Sequence, residues 1–226
     1  MVTSWLGENV GMVDGDSINS GGPSIDSFSD IADPEIRDRV ERFLSNPVTH
    51  VLGDPQARVC VIEFGDFECP YCAGAAPVLR ELVDSSEGQV RLIYRNFPLF
   101  EVHPHALTAA LAAESVAASA GESAYWAMHD KLFAHQARLI DPDLQLYAKS
   151  MGGDPELATG ASAQRFAPIV QADYAAGIEV GVSRTPTLFI DGLIYDGVVE
   201  VSALRRATGL SSDSAGETRR RPWQWR

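Results

Sequence analysis

Apolar residues in the first half of the chain form two short β-type runs separated by a helical stripe. Val59–Phe64 is mostly apolar and β-branched, the pattern of a strand buried on both faces. The segment from Cys69 to about Ser85 has helical spacing, with a kink expected at Pro77. Val90–Arg95 alternates as the next strand, so a right-handed crossover and two parallel strands are predicted. The apolar stripe of the predicted helix is Val78, Leu79, Leu82 and Val83.

The second half of the chain predicts a long helical tract followed by an antiparallel hairpin. Residues 104–182 contain several stretches with helix start and stop signals. Leu188–Ile190 and Leu193–Tyr195 flank Asp191-Gly192, a two-residue hairpin signal, and Val201–Thr208 predicts a last helix. This order predicts an α/β protein, a thioredoxin fold with a helical domain inserted between the second parallel strand and the antiparallel hairpin.

The two ends of the chain differ in composition from this central part. The first 32 residues are rich in Gly, Ser, Asp and Asn, which predicts disorder. Asp33-Pro34 predicts the start of a short amphipathic helix, and Val48–Leu52 predicts a strand. The predicted division is a disordered segment at 1–32, the first part of a thioredoxin-like domain at 33–103, a helical insertion at 104–182, the second part of that domain at 183–210 and a flexible tail at 211–226.

Composition narrows the classes of function. The 226 residues are 45% hydrophobic, enough for one core, and the net charge of −13 argues against general nucleic-acid binding. No stretch is apolar over the roughly 20 residues that a membrane span needs. Because Met1–Glu8 holds no basic segment followed by an apolar run, no export signal is seen. We expect a cytoplasmic protein, or an extracytoplasmic one if the sequence is a trimmed or mature form.

Cys69-Pro70-Tyr71-Cys72 places two thiols at the start of the predicted helix. The thiolate is the attacking species, and unpaired amides at a helix N-terminus lower a cysteine pKa from its free value of about 8.5. Cys69 is therefore predicted to attack first. Cys72, one turn deeper on the same face, is predicted to resolve the mixed disulfide. Pro70 and Tyr71 are predicted to tune the reduction potential and to lie where substrate binds.

Two further positions complete the predicted site. Glu63 is a carboxylate inside an apolar strand, where desolvation raises its pKa, and it is a candidate acceptor for the Cys72 proton. A solvent-facing glutamate at a strand edge is the alternative. Thr185-Pro186 lies just before the hairpin, and a cis bond there would present the backbone of Thr185 to a substrate strand. Here the alternative is an ordinary proline at the start of a strand.

With these elements in place, the chain resembles the DsbA-like branch of the thioredoxin superfamily over about residues 47–208, and is especially similar to DsbA-like domains appended to some bacterial sodium/proton antiporters. This resemblance implies a thiol–disulfide oxidoreductase with Cys69 as nucleophile, Cys72 as resolving thiol, Glu63 as buried acid and Pro186 as cis-proline. It also implies no bound cofactor, and as partners cysteine-containing protein substrates and an unidentified redox partner. Strongly oxidising periplasmic members carry histidine where this chain has Tyr71, so the direction of exchange stays open. The sequence segments that carry this resemblance are Glu63–Cys72, Tyr94–Leu99, His103–Ala106 and Gly181–Gly192.

Three other kinds of function are compatible with parts of this sequence. A structural metal site needs four ligands, and the two motif cysteines have no second CxxC beside them, so no metal is predicted. One rival is a redox-inert, chaperone-like module that holds peptides around Pro186. Another is a kappa-class-like glutathione transferase or isomerase, which shares the inserted helical domain but typically carries serine in place of the cysteine pair. Cys60, Trp126 and Phe133 are predicted to be core residues. The five histidines that could in principle serve as metal ligands are His50, His103, His105, His129 and His135.

Overall fold

The computed structural model describes residues 50–210. The predicted N-terminal disorder, the helix expected at Asp33-Pro34 and the predicted flexible tail lie outside the described residues and stay predictions. Within 50–210, no helix combines the length and the apolar character needed to cross a bilayer.

Strands and helices follow the predicted order. The strands are β1 His50–Leu52, β2 Val59–Gly65, β3 Val90–Asn96, β4 Thr187–Ile190 and β5 Leu193–Tyr195. The helices are α1 Pro70–Asp84, α2 Ala106–Ala120, α3 Glu122–Ala134, α4 Asp141–Ser150, α5 Gly160–Ala163, α6 Ala167–Glu179 and α7 Val201–Ala207, with a 3₁₀ turn at Gln164–Phe166.

The strands form one sheet in the order β1-β3-β2-β4-β5. The β2 and β3 strands are parallel, whereas β1, β4 and β5 each pair antiparallel with their neighbours. Every residue of the central strand β2 is buried, as its continuous apolar run predicts. The insertion leaves the sheet after β3 and returns at β4, which confirms the predicted thioredoxin fold with an inserted helical domain.

Helix α1 begins within the cysteine motif, shortly after the end of β2. Leu79 and Leu82 are fully buried, whereas Val78 of the predicted stripe is only partly buried. The helix runs on through Pro77. Pro77 is exposed, so the loss of its backbone hydrogen bond falls on the solvent side of the helix.

A buried polar network fastens the insertion to the sheet. Arg95 of β3 donates to the Asp173 carboxylate of α6 at 2.8 Å, and both side chains are 1% exposed. The backbone amide of Asn96 donates to the same carboxylate at 3.0 Å, while its side-chain amide donates to Glu114 of α2 at 2.8 Å. Charged groups this deeply buried are retained when they are paired and hydrogen-bonded, as these are.

The network extends to β1 through His50. Its ring lies 3.1 Å from a Glu114 oxygen and 3.0 Å from a Glu122 oxygen, and it stacks on Tyr125 with ring centroids 3.3 Å apart. Burial lowers the pKa of His50, but the two carboxylates outweigh it and raise that pKa to about 9. His50 therefore carries a charge at neutral pH and ties β1 to α2 and α3.

Candidate active site

Both motif cysteines lie at the N-terminus of α1, where the carboxyl end of β2 turns into the helix. Cys69 is the N-cap residue, and Cys72 lies in the first turn of the helix. Both are buried thiols, 3% and 0% exposed. Between them, Pro70 is exposed and the Tyr71 side chain is 78% exposed. Tyr71 is therefore open to solvent, whereas both thiols are nearly enclosed.

The Cys69 thiol is strongly acidified, its pKa being lowered to about 5. The largest cause is a hydrogen bond from the Cys72 thiol, and the backbone amides of Cys72 and Tyr71 also lower this pKa, against the opposing effect of burial. The helix N-terminus therefore acts as predicted. The larger contribution of Cys72 was not part of the sequence prediction.

Alkylation should report this acidity directly. We expect the rate of Cys69 reaction with iodoacetamide, in the reduced protein, to follow a titration with a midpoint near pH 5, falling as the thiolate is protonated below it. Mass spectrometry after trypsin digestion assigns the modified cysteine. A midpoint near the free-cysteine value of about 8.5 would contradict the assignment.

Cys72 has the opposite character. Burial raises its pKa far above the ordinary cysteine range, and both the hydrogen bond that it gives to Cys69 and the charge of Glu63 act in the same direction. The backbone amide of Asp66 donates to the Cys72 sulfur at 3.5 Å. Cys72 therefore stays protonated, and its thiol stabilises the thiolate of Cys69 by a hydrogen bond.

Glu63 lies in the middle of the sheet, opposite Tyr94 on β3 and Leu188 on β4. Its side chain is fully buried, so the alternative of a solvent-facing strand edge is wrong. Burial, together with the charge of Cys69, raises the pKa of Glu63 to about 8. Neither carboxylate oxygen has a hydrogen-bond partner within residues 50–210. Such a carboxyl group can take up or release a proton near neutral pH.

The Thr185–Pro186 segment faces the nucleophile across 116 positions of sequence. Its peptide bond is cis, and the Thr185 carbonyl lies 3.5 Å from the Cys69 sulfur. Thr185 is buried and Pro186 half-buried, immediately before β4 begins at Thr187. The structure thus brings together Cys69, Cys72, Glu63 and Thr185, four of the residues named in the site prediction.

Asp66 anchors the active-site loop, a role that the sequence analysis did not assign. Its buried carboxylate accepts hydrogen bonds from the Glu68 amide at 2.7 Å, the Leu99 amide at 2.8 Å and the His103 ring at 2.8 Å. In turn the Glu68 carboxylate accepts the His105 amide at 2.6 Å. His103 and His105 therefore hold their loop against the segment that precedes Cys69. Within the described part of the chain, no group of three or more His, Cys, Asp or Glu is placed to hold a metal ion.

Gln136 is a second residue that the sequence analysis missed. It follows α3 in the insertion, and its side-chain amide donates to the carbonyls of Phe67 at 3.0 Å and Cys69 at 2.8 Å. No spacing or motif distinguishes this glutamine from others in the chain. It connects the insertion directly to the backbone of the nucleophile.

Sequence relatives of this chain include transport proteins. The chain is 41% identical over 174 residues to the Na(+)/H(+) antiporter NhaA 1 of Salinispora arenicola, a match that spans 76% of this chain and 26% of the antiporter. The Na(+)/H(+) antiporter NhaA 1 of a Mycobacterium species is 32% identical over 161 residues, again covering 26% of that protein. The chain therefore spans about a quarter of the length of these curated relatives.

Solved structures share the fold. The thiol-disulfide exchange protein alpha-DsbA2 from Wolbachia pipientis superposes with a TM-score of 0.69 at 18% identity, over 81% of this chain and 97% of that protein. A thioredoxin-like oxidoreductase from Silicibacter pomeroyi gives a TM-score of 0.62 at 29% identity, over 75% of this chain and 95% of that one. The thioredoxin family profile matches residues 45–208, which include both cysteines and the cis-proline. This chain, with its DsbA-like structural neighbours, therefore belongs to the thioredoxin family.

Proposed function

We propose that this protein is a thiol–disulfide oxidoreductase that exchanges disulfides with cysteine-containing protein substrates through the Cys69–Cys72 pair. The observation that carries the proposal is the placement of two free thiols at the N-terminus of α1, with the carbonyl of Thr185, next to the cis-proline, 3.5 Å from the Cys69 sulfur. The opposed acidity of the two thiols supports it. The pKa of Cys69 is lowered to about 5 while that of Cys72 is raised, so one sulfur is a ready nucleophile and the other stays protonated. A redox-inert, peptide-holding module has no use for this difference.

The reaction then runs in two displacements. The Cys69 thiolate attacks a substrate disulfide, forms a mixed disulfide and releases one substrate thiolate. Cys72 next attacks the Cys69 sulfur, which breaks the mixed disulfide, releases the second substrate thiolate and leaves a Cys69–Cys72 disulfide. Glu63 accepts the Cys72 proton in this step. In reverse, the same steps oxidise a substrate dithiol.

Substrate is held beside the nucleophile by the backbone of Thr185 and by the exposed motif pair. An extended substrate segment adds along the backbone at Thr185–Pro186, the mode by which exposed strand ends capture peptides. The Tyr71 ring and Pro70 supply an apolar surface next to the sulfur. We propose that the matched quarter of the antiporter relatives is a redox domain of the same kind.

The reduction potential tests this function. Stabilising the thiolate stabilises the reduced form, and a Cys69 pKa of about 5 lies between the values of about 7 and about 3.5 found for thioredoxin and DsbA. We therefore expect the pair to titrate between about −270 and −120 mV. Titration against glutathione or dithiothreitol buffers, monitored by Trp fluorescence and alkylation, gives the value.

An activity assay completes the test. The reduced protein should accelerate insulin reduction, or the oxidised protein should accelerate the refolding of reduced RNase. If no reversible disulfide forms between the two cysteines and both assays are negative, the oxidoreductase proposal fails. The peptide-holding alternative would then account for the cis Thr185–Pro186 segment beside Cys69.

A further inference from the structure

Several buried side chains carry polar atoms that have no hydrogen-bond partner within residues 50–210, and three of these side chains lie close together between the sheet and the insertion. They are the carboxylate of Glu63, the hydroxyl of Tyr94 and Nε2 of His129. Their side chains belong to residues that are 0%, 0% and 2% exposed. Buried polar atoms are nearly always paired, so three orphans in one region call for a reason.

Glu63 and Tyr94 face each other across the parallel strands. They are register partners on β2 and β3, so their side chains leave the same face of the sheet. The Tyr94 ring lies over Gly65, where a Cβ atom would meet the hydroxyl oxygen at 2.8 Å. After burial, the charges of Glu63 and Cys72 make the largest contributions that raise the pKa of Tyr94. The hydroxyl group thus shares its surroundings with the proton acceptor and the resolving thiol.

His129 lies between Tyr94 and the surface residue Asp130. Its ring meets the Tyr94 ring edge to face, with centroids 4.9 Å apart. Nδ1 lies 3.0 Å from a carboxylate oxygen of Asp130, so it carries the proton and leaves Nε2 as an acceptor. The Asp130 side chain is 46% exposed and pairs with Arg80 at 2.9 Å. Exposure to solvent therefore rises from Glu63 and Tyr94 through His129 to Asp130.

We propose that Tyr94 and His129 relay to the surface, at Asp130, the proton that Glu63 takes from Cys72. The inference rests on the function proposed above and assigns to it a proton exit. A tyrosine hydroxyl both donates and accepts, and neutral imidazole does the same through its two nitrogens. Because none of these three groups hydrogen-bonds another, each transfer between them crosses a bridging water. Because the pKa of Glu63 is raised to about 8, this carboxyl group is mostly protonated at neutral pH and must give up that proton before it can accept the one on Cys72.

The step balances as follows. The Cys72 sulfur bonds to the Cys69 sulfur while the bond from Cys69 to the leaving thiol breaks, so the cysteine pair is oxidised and the substrate disulfide is reduced. The Cys72 proton passes to Glu63. Glu63 then gives up a proton through the Tyr94 hydroxyl to Nε2 of His129, as the Nδ1 proton moves to Asp130 and on to solvent.

A purely structural role makes a different prediction. Phe67 and Phe133 pack around the same rings, with Phe67 and Tyr94 centroids 5.2 Å apart and His129 and Phe133 centroids 4.9 Å apart. If the cluster serves only packing, Tyr94→Phe keeps the ring, removes an unpaired hydroxyl and leaves catalysis unchanged. If it is a relay, the same change interrupts proton transfer.

The reaction with 5,5′-dithiobis(2-nitrobenzoate) separates the two chemical steps in the full-length protein. Attack by Cys69 releases one thionitrobenzoate, and attack by Cys72 on the resulting mixed disulfide releases a second. Stopped-flow absorbance therefore gives one rate for each cysteine. Positioned proton transfer contributes about 10²–10⁴-fold to a rate, so we expect Tyr94→Phe to slow the second phase by roughly tenfold or more and to leave the first phase within about twofold.

Controls make the result specific. Tyr147→Phe removes another unpaired buried hydroxyl, in α4, and should leave both phases unchanged. His129→Phe should slow only the second phase, and the solvent deuterium isotope effect on that phase should grow in both relay variants, because proton transfer then limits its rate. Unchanged second-phase rates and isotope effects in folded Tyr94→Phe and His129→Phe proteins would overturn the relay. If instead the wild-type protein shows no two-phase release, the oxidoreductase proposal itself fails.

Discussion

Replacing Cys69 by serine is expected to abolish thiol–disulfide exchange, with at least about a thousandfold loss of insulin-reduction or RNase-refolding activity. A serine hydroxyl does not ionise at neutral pH, and the hydrogen bond from Cys72 that lowers the Cys69 pKa to about 5 then has no thiolate to stabilise. The side chain is nearly isosteric, so the fold should persist. Retained turnover would refute the assignment of Cys69 as the nucleophile.

Two matched cysteine variants define the control for this experiment. Cys72→Ser keeps the first displacement and removes the second, so mixed disulfides with substrate should accumulate and appear as a slower band on a non-reducing gel. Cys60→Ala alters a buried core residue of β2 and should leave turnover in place. A clean monomer band for Cys72→Ser in the presence of competent substrate would contradict the two-step scheme.

Replacing Asp173 by asparagine is expected to lower the free energy of unfolding by about 3–5 kcal/mol, because it removes the charge of one partner from a buried, hydrogen-bonded ion pair. The Arg95 guanidinium, 1% exposed, would lose a carboxylate 2.8 Å away. Asparagine has nearly the same volume, so the loss reports charge rather than a cavity. Urea unfolding monitored by circular dichroism measures the change.

The comparison variant breaks an ion pair that is open to solvent. Asp143 pairs with Arg138, whose side chain is 61% exposed, and Asp143→Asn should cost no more than about 1 kcal/mol. Similar costs for the two aspartates would show that the Arg95–Asp173 pair does not anchor the insertion to the sheet. A larger loss at Asp173 would identify this network as the joint between the two parts of the fold.

Much of the fold follows from local signals. Continuous apolar character marked β2, helical spacing marked α1, and Asp191-Gly192 marked the hairpin, where both residues have positive φ angles of 48° and 80°. These patterns depend on neighbours a few positions apart, so one sequence shows them. The cysteine motif is local in the same sense, since a spacing of three places both thiols in the first turn of one helix.

The connections between distant segments were not predicted. Gln136 binds the Cys69 carbonyl across 67 positions, and the His103 ring binds Asp66 across 37. Glutamine, histidine and aspartate are common on exposed loops, and nothing in their immediate surroundings marks them as buried partners. His50 was weighed as a metal ligand, whereas its ring bridges two carboxylates of the insertion.

The sequence by itself determined the order of elements, the positions of the two thiols and the presence of a carboxylate in the central strand, because backbone periodicity and helix-end electrostatics act over one or two turns. Only the tertiary structure decided how acidic the Cys69 thiol is, where the Thr185 carbonyl lies, and which polar side chains meet in the interior. Those properties depend on burial and on charges brought within a few ångströms by chain segments far apart in sequence. A pKa therefore belongs to the folded surroundings of a residue rather than to its motif.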